Sequence, residues 1–364
     1  MKFLYVTQGF GEFAQAEALA FYAKNRSVEN IFICDDPALI RAIRQSGFPA
    51  YRSTTTHATH QLIRKIKPDV LLLCNSKTVF MHNESILKEP PPRPRPLITC
   101  LDSNWLFLRD KRSRFPVPDF LDVIFVVMPR TIYRKGLRKY GGHYQISPAF
   151  APKIYAPGFI PSGFTPTTQQ KRETRARLGL RRGDKLIFSY FGVREPSIAK
   201  NYVHALATIM NRYQKKGRKV KVFLKRNGKS PLPRHDWLIE KHGWVQWDEY
   251  VRLLAAADLV IQHHGLGTLP KVIRNQVPTL CIVPHADLRA PFYEHSPAFE
   301  IDVFERLGLC SSLPYNFSAE DLEQKMTELL YQPQKIQAMK AAQAKHFAAG
   351  EKAAFDYLMK KRES

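Results

Sequence analysis

Apolar residues fall along this chain in short continuous runs, separated by segments whose apolar positions recur at helical spacing. "KFLYVT" reads as a buried strand, followed by a glycine turn and the helix "FAQAEALAFYAKN". "ENIFICDD" is a second strand, and "ALIRAIRQSG" is a helix ending in glycine. "PDVLLLCNS", "PLITCLDSN" and "DVIFVVMP" add three more strands, with the loop "EPPPRPRP" among them. Continuous apolar strands alternating with helices predict a parallel sheet covered on both faces. Residues 1–155 therefore read as one doubly wound α/β domain.

The Pro- and Gly-rich segment "YAPGFIPSGFTPTT" marks a linker over 156–180. A second cycle occupies 181–335. Its strands are "DKLIFSYFG", "VKVFLKR", "DLVIQHH" and "PTLCIVP"; its helices are "NYVHALATIMNRYQKKG", "WDEYVRLLAAA" and one from about Leu269. "SAEDLEQKMTELLYQ" opens on Ser318 as an N-cap, with a Glu as the reciprocal partner of a capping box. Residues 336–364 read as Ala-rich helices that pack back across the cleft. The fold class is thus α/β, with two Rossmann-like doubly wound domains facing across that cleft.

Composition changes the picture in one respect. Lys plus Arg is 56 against 32 Asp plus Glu, a net charge of +24, which favours anionic partners. The 44% hydrophobic content is ordinary for a globular chain. Cys34, Cys74, Cys100, Cys281 and Cys310 are odd in number, scattered and mostly in apolar runs, so they read as reduced buried thiols. The first residues lack a signal-peptide pattern, and no window is apolar enough to span a membrane. A cytoplasmic protein is expected. No recognised nucleic-acid motif is present, and no specific nucleic-acid partner is expected.

Ligands of open α/β sheets bind beyond the carboxyl ends of the strands. That rule selects Gly9, Gly11, Glu12, Asp102, Gly192, Arg194 and the segment from His263 to Thr268. "ADLVIQHHGLGTLPKVIRNQVPTLCIVP" resembles the donor-binding segment of the GT-B glycosyltransferases, with the UDP-glucuronosyltransferase-like and MurG-like enzymes the nearest in pattern. His263 takes the family's His position, Gly265, Gly267 and Thr268 match its loop, and Val277 and Pro278 match the end of its helix. "VQWDEYVRLLAAAD" resembles the base-recognition segment, and "MKFLYVTQGFGEFAQAEALA" the N-terminal strand, loop and helix.

The resemblance implies a sugar donor of the nucleotide-diphosphate type, most simply a UDP-sugar, as co-substrate, with no cofactor and no bound metal. Glycine loops opening a helix offer backbone N–H groups and a positive dipole end to a diphosphate. His264 stands where the family often has glycine. Lys271 stands where it commonly has a Glu that holds the ribose. A cation there reads as a phosphate contact, a changed donor or a degenerate site. The adjacent histidines lack a third ligand at zinc spacing, so metal binding is not the reading.

On the acceptor side the loop Gly9, Gly11 and Phe13 should face the donor loop. Glu12 matches the position of the family's general base, and Asp102 that of an acidic partner; the plainer reading of Glu12 is a helix-start residue. Arg194 and Lys200 are diphosphate contacts or surface cations. The main chain of Val245 and Gln246 is placed to read a base edge. In "RTIYRKGLRKY", Ile132, Tyr133, Leu137 and Tyr140 share one helical face amid cations. That pattern suits an anionic membrane, or an ordinary helix packed on the sheet. The function expected is inverting, metal-independent sugar transfer to an acceptor hydroxyl. The acceptor is an anionic or lipid-linked cell-envelope glycan at the inner membrane face. Alternatives are a nucleotide-sugar hydrolase or epimerase on the same fold, or a non-catalytic basic binding protein.

Overall fold

The computed structural model describes residues 1–7, 9–74, 95–102, 109–110, 121–140, 144–145, 151–161, 164–190, 196–226, 235–242, 245–263, 267–284 and 292–363. The first lobe runs β1 (Lys2–Val6), α1 (Phe10–Lys24), β2 (Glu29–Cys34), α2 (Pro37–Gln45), β3 (Ala50–Arg52), α3 (Thr56–Ile66), β4 (Val70–Leu73) and β5 (Leu97–Asp102). A small antiparallel pair, β6 (Arg109–Asp110) with β8 (Tyr144–Gln145), brackets β7 (Val123–Val126) and α4 (Arg130–Tyr140). β9 (Ile154–Tyr155) completes a seven-stranded sheet in the order β3-β2-β1-β4-β5-β7-β9.

The second lobe runs α5 (Thr168–Arg177), β10 (Lys185–Tyr190), α6 (Pro196–Lys215), β11 (Val220–Arg226), β12 (Leu238–His242), α7 (Trp247–Ala256), β13 (Leu259–His263), α8 (Leu269–Arg274), β14 (Thr279–Val283), α9 (Phe292–Arg306) and β15 (Ser311–Pro314). Its six strands lie in the order β12-β11-β10-β13-β14-β15. Within both sheets all neighbouring strands are parallel. Each sheet starts near its middle and reverses direction next to its first strand. The crevices that reversal opens lie beyond β1 and β4 in one lobe, and beyond β10 and β13 in the other.

The apolar strands are buried from both sides, as their continuous runs require. Phe3, Tyr5, Phe32 and Leu72 pack under α1 and α2, while Leu4, Val6, Ile31 and Leu71 pack on the opposite face. The second face does not stop at the lobe boundary. Its cluster continues through Ile132, Tyr133 and Phe159 to Leu269, Ile273, Phe299 and Phe304 of the second lobe. The apolar side of α4 is therefore core: Ile132 and Tyr133 are buried and Leu137 packs against them. Arg130, Arg134, Lys135 and Arg138 face outward, and Lys139 pairs with Asp302 on α9. This is the ordinary packed helix, with no apolar stripe left for a bilayer on those three residues.

Several elements were unmarked in the apolar pattern, among them β3, α3, β12, α9 and β15. Helix α5, capped reciprocally by Thr167 and Gln170, lies within the Pro- and Gly-rich region. The Ser318 capping box of α10 (Ala319–Tyr331) forms, with Asp321 rather than a Glu as its partner. The C-terminal stretch is two helices, α11 (Pro333–His346) and α12 (Glu351–Glu363). α11 lies against α8 and α10. α12 lies on the first lobe along α1, with Phe355 and Leu358 in that core and Arg362 paired to Asp69.

The chain passes between the lobes twice, and the two passages touch. The Phe159 amide donates to the Ala348 carbonyl at 2.8 Å, and the Gly350 amide donates to the Phe159 carbonyl at 2.6 Å. Gly158 sits at φ +127°, where a side chain is strained, and a Cβ there would lie 2.6 Å from the Ala348 oxygen. A Cβ on Gly350 would lie 2.8 Å from the Gly158 carbonyl. Gly158→Ala and Gly350→Ala should each lower stability by about 1–3 kcal/mol, read as a lower thermal midpoint.

Candidate functional site

At the carboxyl end of the second sheet, register places Tyr190 opposite both Lys225 and Gln262, so these three side chains share one face. The Lys225 ammonium lies 4.3 Å from the centre of the Tyr190 ring and 6.0 Å from that of Tyr250. Lys225 is 8% exposed, and burial lowers its proton affinity to about 8, so it remains mostly cationic at neutral pH. His263, the last residue of β13, sets its ring edge-on to Tyr190 at 5.0 Å. Desolvation holds His263 down at about 4, with the Lys225 charge acting in the same direction and a backbone hydrogen bond with Tyr190 opposing it. The imidazole is neutral at physiological pH.

Beyond His263 the chain turns into α8. The Thr268 hydroxyl is 2.7 Å from the Tyr250 hydroxyl in a buried contact. Helix α8 has six residues, under two turns, so its dipole is weak. The amides of Lys271 and Val272 are already directed to the Thr268 carbonyl, at 3.0 and 3.2 Å. The expected row of outward-facing helix amides is thus reduced. Lys225 brings cationic charge to this end of the sheet.

Lys271 is 2% exposed. Its ammonium donates to the Gly267 carbonyl and lies 4.2 Å from the centre of the Trp247 ring. Burial lowers its proton affinity to about 7, with Glu17 of the first lobe opposing that shift. Lys271 is therefore engaged by its own loop, not held out toward a ribose. Trp247 in turn stacks on Tyr250 at 5.8 Å.

The two lobes meet at this loop. A Cβ on Gly267 would stand 3.4 Å from the Gly11 Cα, so the turn before α8 lies directly on the first turn of α1. Glu12 is in that turn, half-buried; burial, and after it the Glu12 charge, pushes the Cys74 thiol at the end of β4 up. Gly9 is the N-cap of α1.

The other residues selected from sequence are placed as follows. Phe13 is fully buried in the first core, edge-on to Phe32, because it lies on the sheet-facing side of α1; it does not line the acceptor loop. Lys200 is exposed on α6. Val245 is core, and Gln246 caps α7, its carbonyl accepting from the Tyr250 amide at 2.9 Å. Asp102 ends β5, paired with Val126. Gly192, Arg194, His264 and Gly265 lie outside the described residues. Trp247 and Tyr250 lie in the segment "VQWDEYVRLLAAAD", where Trp247 could frame a base or pack in the core. Tyr190, Lys225 and Glu17 were not selected; a lysine interrupting the end of an apolar strand, as in "VFLKR", is the signal that marked Lys225.

No protein-family model matches this chain. No curated protein matches it either. Solved structures do. A UDP-GlcNAc 2-epimerase from Neisseria meningitidis, bound to UDP-GlcNAc, superposes with a TM-score of 0.65 at 12% identity, over 99% of this chain and 100% of that one. The glycosyltransferase SnogD from Streptomyces nogalater superposes at 0.61 with 14% identity, over 99% of each. MurG from Acinetobacter baumannii superposes at 0.56 with 12% identity, over 99% and 100%. At such identities the likeness defines the fold alone: the chain has the GT-B fold, two Rossmann-like lobes facing across a cleft.

The His263 environment has a measurable consequence. The unfolded chain protonates this ring near 6.5 and the folded one near 4, so stability is lost as pH falls through that window. Proton-detected titration should place His263 near 4, and His263→Asn should remove that share of the acid sensitivity.

Proposed function

We propose that this chain transfers a sugar from a nucleotide-diphosphate donor, of the UDP-sugar type, to an acceptor hydroxyl, with inversion and without a bound metal. The observation that carries the reading is the meeting of two strand-end crevices. Lys225, His263 and Thr268 stand at one. The start of α1, with Glu12, stands at the other and touches the Gly267 turn. The shared fold with the solved glycosyltransferase supports it.

In this reading Lys225 neutralises the charge that develops on the leaving diphosphate. The acceptor oxygen bonds to the anomeric carbon as the bond from that carbon to the phosphate oxygen breaks. The electron pair leaves with the nucleotide diphosphate, and the hydroxyl proton passes to Glu12. His263 is neutral and serves as a hydrogen-bonding wall rather than a counter-charge. Asp102, Arg194, Lys200, His264 and Gly265 keep the auxiliary roles their positions in the sequence suggest. The acceptor is an anionic or lipid-linked envelope glycan, reached from the cytoplasmic side. The outward cations of α4 would make an electrostatic rather than an inserted membrane contact. Among the described residues, no helix is long and apolar enough to cross a membrane.

A second reading, epimerisation or hydrolysis of the nucleotide sugar, has the Neisseria meningitidis epimerase's fold behind it. Incubation with nucleotide sugars, with and without membrane extract, separates the two. Transfer that requires the extract supports the first reading; free sugar or an epimer formed without it supports the second; neither activity contradicts both. Glu12→Gln should lower kcat by about 100-fold or more with donor KM little changed. Lys225→Met should weaken donor binding by about 10- to 100-fold, measured by calorimetry.

A further inference from the structure

On the face that α7 covers, the second sheet carries a ladder of paired side chains. Register sets Phe188 opposite Phe223. Two residues nearer the strand ends it sets Tyr190 opposite Lys225, so alternation puts all four on one side. The Phe188 and Phe223 rings stack, with centres 5.7 Å apart and planes 10° apart. The next rung keeps an aromatic on β10 but has an ammonium on β11. That ammonium lies 4.3 Å from the centre of the Tyr190 ring. Tyr250, edge-on to Phe188 from α7, brings a second ring to 6.0 Å from the same nitrogen.

Burying a lysine to 8% exposure is costly, because its charge gives up water. The electron-rich face of an aromatic ring restores part of that attraction and holds the stem in one direction. Tyr190 has a second engagement: His263 on β13 meets its ring edge-on at 5.0 Å. Strand β10 lies between β11 and β13. One side chain of the central strand thus touches the cation of one neighbour and the imidazole of the other. The transfer step above gives Tyr190 no role.

We propose that Tyr190 is a positioning residue for the donor diphosphate: its ring face holds the Lys225 ammonium at the crevice end of β11, in place before the anion arrives. This rests on the donor-site reading of the crevice. It also accounts for the order of residues along the face. Aromatic pairs fill the rung that lies inside the core, and the lysine enters only at the rung where the strands reach the crevice.

Graded fluorination of one ring separates this role from simple packing, because fluorine withdraws charge from the ring face and alters its shape little. Tyr190→Phe should bind UDP within about 2-fold of the native protein in calorimetry, since the face and not the hydroxyl is used. Fluorinating that phenylalanine in steps, up to the trifluoro ring, should weaken UDP binding monotonically, by about 10-fold over the series. In a Lys225→Met background the same series should be flat; Lys225→Gln serves where Lys225→Met folds poorly. A ring that only fills space gives a flat series with Lys225 present as well, and that result overturns the proposal. Equal weakening with and without Lys225 means that the ring touches the ligand itself, and overturns it too.

The contact is read separately in the ligand-free protein by proton magnetic resonance. The Tyr190 ring current should move the Lys225 ε-methylene protons upfield, and Tyr190→Leu should reduce that displacement. No upfield displacement in the native protein overturns the proposal. An upfield displacement in a native protein that binds no UDP overturns the donor-site reading instead.

Discussion

The two parallel sheets face each other at their strand ends, and the chain crosses between them and returns, with both crossings pressed together at Gly158 and Gly350. The contact leaves no room for a Cβ on either side. It fixes where the first lobe ends, where α12 re-enters it, and hence the line about which the lobes meet. The apolar cluster running from the first sheet through Phe159 to Phe304 reinforces that junction. The Gly11–Gly267 approach is the second point of contact. Lys225, Thr268, Lys271 and Glu17 are all buried.

Enclosure accounts for the electrostatics. Lys225, Lys271 and His263 are all shifted toward their neutral forms chiefly by desolvation, and Glu17 likewise. A chain with a net charge of +24 thus has a candidate site in which only part of the cationic potential is expressed before a ligand arrives. A nucleotide diphosphate would supply the missing negative charge, and binding it would favour the protonated lysines. This couples ligand, charge and loop shape without needing a strong helix dipole, which the six-residue α8 does not provide.

Much of the architecture was legible because parallel strands buried on both faces leave unbroken apolar runs. "KFLYV", "ENIFIC", "KLIFSY" and "LVIQH" each became a strand, and the order of elements implied two doubly wound sheets. β3 was not legible: only Ala50 of its three residues is buried. The site was legible in its loop positions and not in its side-chain geometry. Tyr190 and Lys225 become neighbours through strand register, which separate apolar runs do not reveal. Glu17 sits in "AQAEALA", which reads as an exposed polar position on a helix. Its burial depends on packing in the folded chain. Phe13 was misplaced for the converse reason: proximity to the glycine turn suggested the cleft, while its helical phase sends it to the sheet.

The central claim is that the strand-end crevice of the second lobe binds a nucleotide diphosphate between Lys225 and the Gly267 turn. A crystal structure of the chain grown with UDP tests it most directly. The account requires the diphosphate beside Lys225, Thr268 and Gly267, with Lys271 still on the Gly267 carbonyl. A diphosphate bound elsewhere, or Lys271 swung out to contact the nucleotide, would contradict it.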